Sequence, residues 1–227
     1  MSRVRAITLL AIATLALGCD DDDVTGPQSS INDGGIGNQS LLVVANVGVI
    51  DINGGFLTGF SVDVSDREGE PVSGADVVIE GGFGPRTLSE GPTPGSYLGE
   101  LSGAAWGTLR LDVERDTLFV HGIVLGNIGI HTFTAPQPED TVEAQTPLVV
   151  RWFRDSEAPM ARLSTRDITL NDVPDTGEFI LPDSLNPARS NQRFELVRSN
   201  EVQIAGGLRG SFFRLEVRNA IEQVVVD

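Results

Sequence analysis

The chain has 227 residues, with 16 Lys+Arg against 32 Asp+Glu and a formal net charge of −16. That balance argues against nucleic acid, whose phosphates it would repel, and against lying flat on anionic lipid headgroups. Every basic residue is arginine, which removes Schiff-base chemistry and a phosphate-loop lysine together. Apolar residues make up 40% of the chain and charged residues 21%, a folding composition rather than a disordered one.

The chain opens with Arg3 and Arg5, then an apolar run from Ala6 to Leu17 that is too short to span a bilayer comfortably. Ala16-Leu17-Gly18-Cys19 closes it, and Asp20, Asp21, Asp22 and Asp23 follow at once. These residues resemble a bacterial lipoprotein signal, with Ala16 at the place where that motif usually carries Leu. An ordinary secretory peptide, with Cys19 merely near the cut, is the alternative. The resemblance implies cleavage before Cys19, a thioether-linked diacylglycerol on its sulfur, and often a third acyl chain on its amine. Two or three chains anchor a protein stably, whereas one is marginal. Removing residues 1–18 takes away two arginines and no acid, leaving a net charge of −18. Cys19 is the only cysteine, so no disulfide forms within the chain. The implied location is the cell envelope, at the outer membrane or cell surface rather than the inner membrane.

Residues 19–40 read as an acidic flexible tether, rich in Asp, Gly, Ser, Asn and Gln. About 20 such residues span roughly 25 Å on average. Leu41 to Val49 is β-branched and apolar, and Phe60, Val62 and Val64 alternate with Ser61 and Asp63, the period of a half-buried strand. Asp66-Arg67-Glu68-Gly69-Glu70-Pro71-Val72-Ser73-Gly74-Ala75 follows. It resembles the opening of bacterial Ig-like and carboxypeptidase-regulatory-like (transthyretin-like) β-sandwich modules. The resemblance implies a hairpin turned at Gly69, an inward Val72, and Ala75, Val77 and Ile79 along one strand face. Tyr97 in Gly95-Ser96-Tyr97 fits the strand that commonly follows. Leu109, Leu111 and Val113 supply another alternating strand, and Thr117 to Leu125 a further one. Such modules are scaffolds, so the likeness speaks to fold and hardly to chemistry.

Ala135-Pro136-Gln137-Pro138-Glu139-Asp140, with two prolines and two acids, marks the expected boundary between Phe133 and Thr146. Beyond it, Leu148, Val150 and Trp152 alternate with Val149, Arg151 and Phe153, and Phe194, Leu196 and Arg198 begin a long hairpin arm. Phe213, Leu215 and Val217 match Val224 and Val226 in type. This half is similar to fibronectin-III or Ig-like modules. The expected architecture is all-β, with a signal peptide (1–18), a tether (19–40) and two tandem antiparallel β-sandwiches (41–134 and 135–227). One elongated sandwich is the alternative.

Chemistry is sparse. His121 and His131 are the only histidines, and no G-x-S-x-G elbow accompanies them. Two histidines fall short of a zinc set unless carboxylates join. Asp172, Asp175 and Glu178 cluster around Gly177, but turn chemistry explains acids there. Gly81, Gly82 and Gly84 lack the lysine and helix of a phosphate cradle. No catalytic residue, metal or cofactor is therefore assigned. The expectation is a non-enzymatic, lipid-anchored envelope protein whose modules bind or space something, with an envelope hydrolase as the alternative. Its partners are the membrane, through Cys19, and an envelope protein or glycan. Trp152 is expected in the core. Trp106, in the small-residue stretch Ser102-Gly103-Ala104-Ala105-Trp106-Gly107, is either a lid on the first sandwich or an exposed binding contact.

Overall fold

The computed structural model describes residues 35–52 and 55–227; Cys19 and the acidic run after it lie outside the described residues. The first strands are β1 (Ile36–Gly37), β2 (Leu42–Asp51), β3 (Phe56–Ser65), β4 (Asp76–Gly81), β5 (Gly84–Thr87) and β6 (Ser89–Glu90). Next come β7 (Ser96–Ser102), β8 (Leu109–Arg115), β9 (Leu118–Leu125), β10 (His131–Ala135), β11 (Thr141–Val142) and β12 (Leu148–Arg154). The chain ends with β13 (Met160–Thr165), β14 (Thr169–Leu170), β15 (Glu178–Leu181), β16 (Arg189–Gln203) and β17 (Phe212–Val226). A single 3-10 turn, Asp183–Leu185, is the only helical element among the described residues, so the fold is all-β.

The strands form three sheets: β1-β9-β8-β4-β5, β10-β12-β15, and a large one running β14-β13-β16-β17-β2-β3-β7-β6. The large sheet is the common floor of two sandwiches. One sheet packs its Val77, Ile79, Leu111 and Val113 over the end of the floor that carries Val43, Ala45, Phe60, Val62 and Phe213. The β10-β12-β15 sheet packs Phe133, Val150 and Trp152 over the other end, on Leu163, Phe194 and Leu196. Strict alternation explains the geometry. In β2, Val43, Ala45, Val47 and Val49 are all buried while their neighbours face outward.

Several sequence expectations are seen directly. Gly69 adopts a φ of 84°, closing a turn in which its N–H donates to Asp66 O. Val77 and Ile79 are fully buried, and Ala75 packs against the same core. Tyr97 is buried, and its hydroxyl donates to Val72 O at 2.7 Å while accepting Ala75 N–H at 2.7 Å. That staples the turn region to β7.

The division of the chain differs from the expectation in three places. First, residues 35–40, expected as tether, belong to the fold. Ile36 and Gly37 pair with His121 and Val120 of β9, and Gln39 N–H donates to Gly206 O at 2.8 Å. A Cβ on Gly37 would sit 2.5 Å from Gly206 O, so the missing side chain is what lets the backbone in. Second, residues 131–134, which the expected division assigns to the first sandwich, lie in β10, which pairs with β12, and Phe133 lies in the second core. Third, the hairpin β16–β17 crosses both cores. Each arm has 15 residues, about 50 Å when extended. Phe213, Leu215 and Val217 do not share a module with Val224; the first three join the first core and Val224 the second. The start of β17 also pairs in parallel with β2, from Phe212↔Val44 to Arg218↔Ile50, so the floor is one continuous sheet across residue 134.

Candidate functional site

Where the two cores meet, the apolar rows of the hairpin are interrupted. On the inner face of β16 the order is Phe194, Leu196, Arg198, Asn200, Val202, and the third and fourth are polar yet buried. Arg198 is fully enclosed. Its guanidinium donates through Nε to Asp175 Oδ2 at 2.9 Å, and also to the carbonyls of Ile128, Ile130 and Ser156. Asp175, itself buried, also accepts Trp152 Nε1–H at 2.9 Å and Ala158 N–H at 2.7 Å. Asn200 Nδ2 donates to Gly126 O at 2.8 Å, and Asn219 Nδ2 to His131 O at 3.0 Å. This polar band ties the 126–131 connection and the 155–158 turn to the hairpin. Burial raises the Asp175 carboxyl, but the hydrogen bonds from Arg198, Ala158 and Trp152 outweigh it and hold the group below the usual range.

His131 sits in the same band, fully buried, with Nε2 3.0 Å from Leu196 O and no partner at Nδ1 among the described residues. A carbonyl can only accept, so Nε2 carries the proton. Burial first, and the nearby Arg198 charge second, push the imidazole down to about 4. His121 lies apart, on β9, with Nε2 3.4 Å from Glu114 Oε2. The two histidines are not brought together. Nor are the three acids of the expected turn cluster: Asp175 is taken by Arg198, and Glu178 pairs with Arg151 at 2.7 Å.

Above the band opens a groove of about 550 Å³, walled by Ala104 to Thr108 on one side and by Ile130, Asp155 and Ser156 on the other. Trp106 stands in this wall at 62% exposure, so it is no lid on the first core. Its backbone is held firmly. Thr58 Oγ1 donates to Gly103 O at 2.7 Å and accepts Ala105 N–H at 2.8 Å. Asn127 Nδ2 donates to Ala105 O at 3.0 Å, and Gly82 N–H to Trp106 O at 2.8 Å. The indole lies on Gly82, where a Cβ would come within 2.0 Å of Trp106 Cε3. Gly82 thus serves as the seat of the ring, a role that ruling out a phosphate cradle at Gly81, Gly82 and Gly84 does not reveal. Trp152, by contrast, is in the core at 3% exposure. Another concavity, of about 440 Å³, runs over the outer face of β2, β3 and β7 where Gly48, Gly59 and Gly99 carry no side chains; no tryptophan lines it.

No protein-family model matches the chain, and no curated protein does. Among solved structures it is similar to the fibronectin(III)-like modules of CbhA from Clostridium thermocellum, at 13% identity. That match covers 78% of this chain and 92% of that one, with a TM-score of 0.26. So weak a superposition leaves function to be read from this chain's own residues.

Proposed function

We propose that this chain is a lipid-anchored cell-envelope protein of non-enzymatic type, whose sandwich modules bind a partner at the envelope surface through the seam groove. The observation that carries the reading is Trp106, an exposed aromatic side chain on a loop clamped by Thr58, Asn127 and Gly82. Rigid tryptophans in concave sites are the residues that dominate binding energy. The groups best suited to catalysis point the same way: His131, Asp175 and Arg198 are sealed in the band beneath the groove and spend their hydrogen bonds on structure. Anchoring rests on the Arg3, Arg5, apolar-run and Cys19 pattern of the sequence. The chain enters the fold beside the tip of the β16–β17 hairpin, where Gln39 meets Gly206 and Leu41 O accepts Leu208 N–H. A lipid on Cys19 would therefore be joined by the chain to that pole of the fold.

Two measurements test this. Cys19→Ala should abolish incorporation of radiolabelled palmitate and release the protein from membranes; a variant that still partitions with membranes after signal cleavage defeats the anchoring. Trp106→Ala in the full-length protein should weaken binding to isolated envelopes by about 30-fold, the scale of a 2 kcal/mol hot spot. Unchanged binding defeats the groove as the contact.

A further inference from the structure

We infer that the seam groove takes a neutral glycan, with the apolar face of one sugar ring stacked on Trp106. This rests on the reading of the groove as the contact surface. The indole presents one face to Gly82, and the residue as a whole is 62% exposed in water. An amphipathic ring held flat by its backbone suits a partner with a flat apolar face and a polar edge. A pyranose has both, in its axial C–H groups and its hydroxyls. The rest of the groove supplies what the hydroxyls need. Thr108 and Ser156 bring hydroxyl groups, and Asp155, whose Oδ2 is oriented by Ile130 N–H at 3.1 Å, keeps further acceptor sites. Small residues, among them Ala104, Gly107, Gly126 and Gly129, make the walls, leaving room for a chain to pass along the seam.

Charge selects within the glycans. Among the described residues, Asp155 is the single charged one lining the groove, and the whole chain carries −16. A phosphorylated or uronic-acid polymer would be repelled, so the ligand is neutral. A protein partner is disfavoured by what surrounds the ring. Seven other large hydrophobic side chains are exposed among the described residues, and none lines the groove. A protein interface normally buries about 800 Å² per partner around clustered anchors, which this seam does not offer. A quaternary ammonium ligand is disfavoured because its cages use several aromatic walls, and among the described residues Trp106 is the one aromatic side chain here.

Full-length protein in a non-sugar detergent is titrated with neutral hexasaccharides of β-linked glucose, N-acetylglucosamine and mannose, following tryptophan emission. Trp152 is buried, so a shift to shorter wavelength with protection from acrylamide reports Trp106. At least one sugar should give a saturable shift that Trp106→Ala removes. Gly82→Ala keeps the indole but drives a methyl into its seat, and should raise the Kd tenfold or more while the circular dichroism spectrum is unchanged. No shift with any sugar, together with loss of envelope binding in Trp106→Ala, assigns the groove to a protein partner and overturns the glycan alone. No shift, with envelope binding intact in Trp106→Ala, overturns the contact reading as well. A sugar response that survives both substitutions overturns the placement of the ligand.

Discussion

His131 makes the stability of this protein pH-dependent in a window that no buried carboxylate shares. The folded protein holds the imidazole neutral: it is fully buried, Nε2–H donates to Leu196 O, and a proton on Nδ1 would meet no acceptor. Arg198 faces it as a like charge, only partly offset by Asp175. Unfolding releases the ring to its ordinary value of 6.5, against about 4 in the fold. Between those values the unfolded chain binds the extra proton, so stability falls as pH falls. By pH 5 the loss relative to pH 8 is about 2 kcal/mol, at 1.36 kcal/mol per pH unit below 6.5. For a chain of this size that lowers Tm by about 4–8 °C. Urea unfolding at pH 8 and pH 5, followed by circular dichroism, measures it. Asp175 does not confuse the window, because its contribution is present above its ordinary 3.8 and is lost only as pH falls below that. His131→Gln, which keeps an N–H for Leu196 O, should flatten the difference between the two pH values. A Gln variant that still loses the full 2 kcal/mol would refute the assignment to His131.

Arg198→Met removes the countercharge of a buried carboxylate and three carbonyl partners, and should cost about 3–5 kcal/mol. Adding Asp175→Asn should recover part of that cost in urea melts, and a single-variant cost below about 1 kcal/mol would show that the band is not a structural tie. Residues 135–227 in isolation, which the sequence suggested as a free-standing module, should not melt cooperatively. They lack most of β10 and the β2 partner strand, and they leave Val202, Phe213, Leu215 and Val217 uncovered at about 1.5–3 kcal/mol each. A sharp calorimetric transition in that fragment would contradict the shared floor.

Much of the first sandwich could be read from local pattern. The alternation in 41–64, the Gly69 turn, the inward Val72 and the Val77–Ile79 face are each set by residues within a few positions of one another, and the structure places them accordingly. Trp152 in the core follows from the same period-2 logic on β12. Trp106 was legible as a residue without a strand to assign it a face, but whether it covered a core or stood in water was not. That depended on Gly82, 24 positions earlier and brought beneath the ring only by the pairing of β4 with β8.

By itself, the sequence determined an all-β chain, a start that resembles a lipoprotein signal, and the solvent and core faces of several strands. These are properties of short windows, where side-chain period and turn chemistry act without reference to distant residues. Tertiary structure alone decided where one core stops and the other begins. A proline-rich linker marks a break in the chain, but the cores are divided by strand pairing, and β17 pairs with β2 at a separation of 168 residues from Phe212 to Val44. Such long-range hydrogen bonding has no local signal. It makes one sheet the floor of both sandwiches, and the groove that holds Trp106 opens where the band of Arg198, Asn200 and Asn219 crosses that floor.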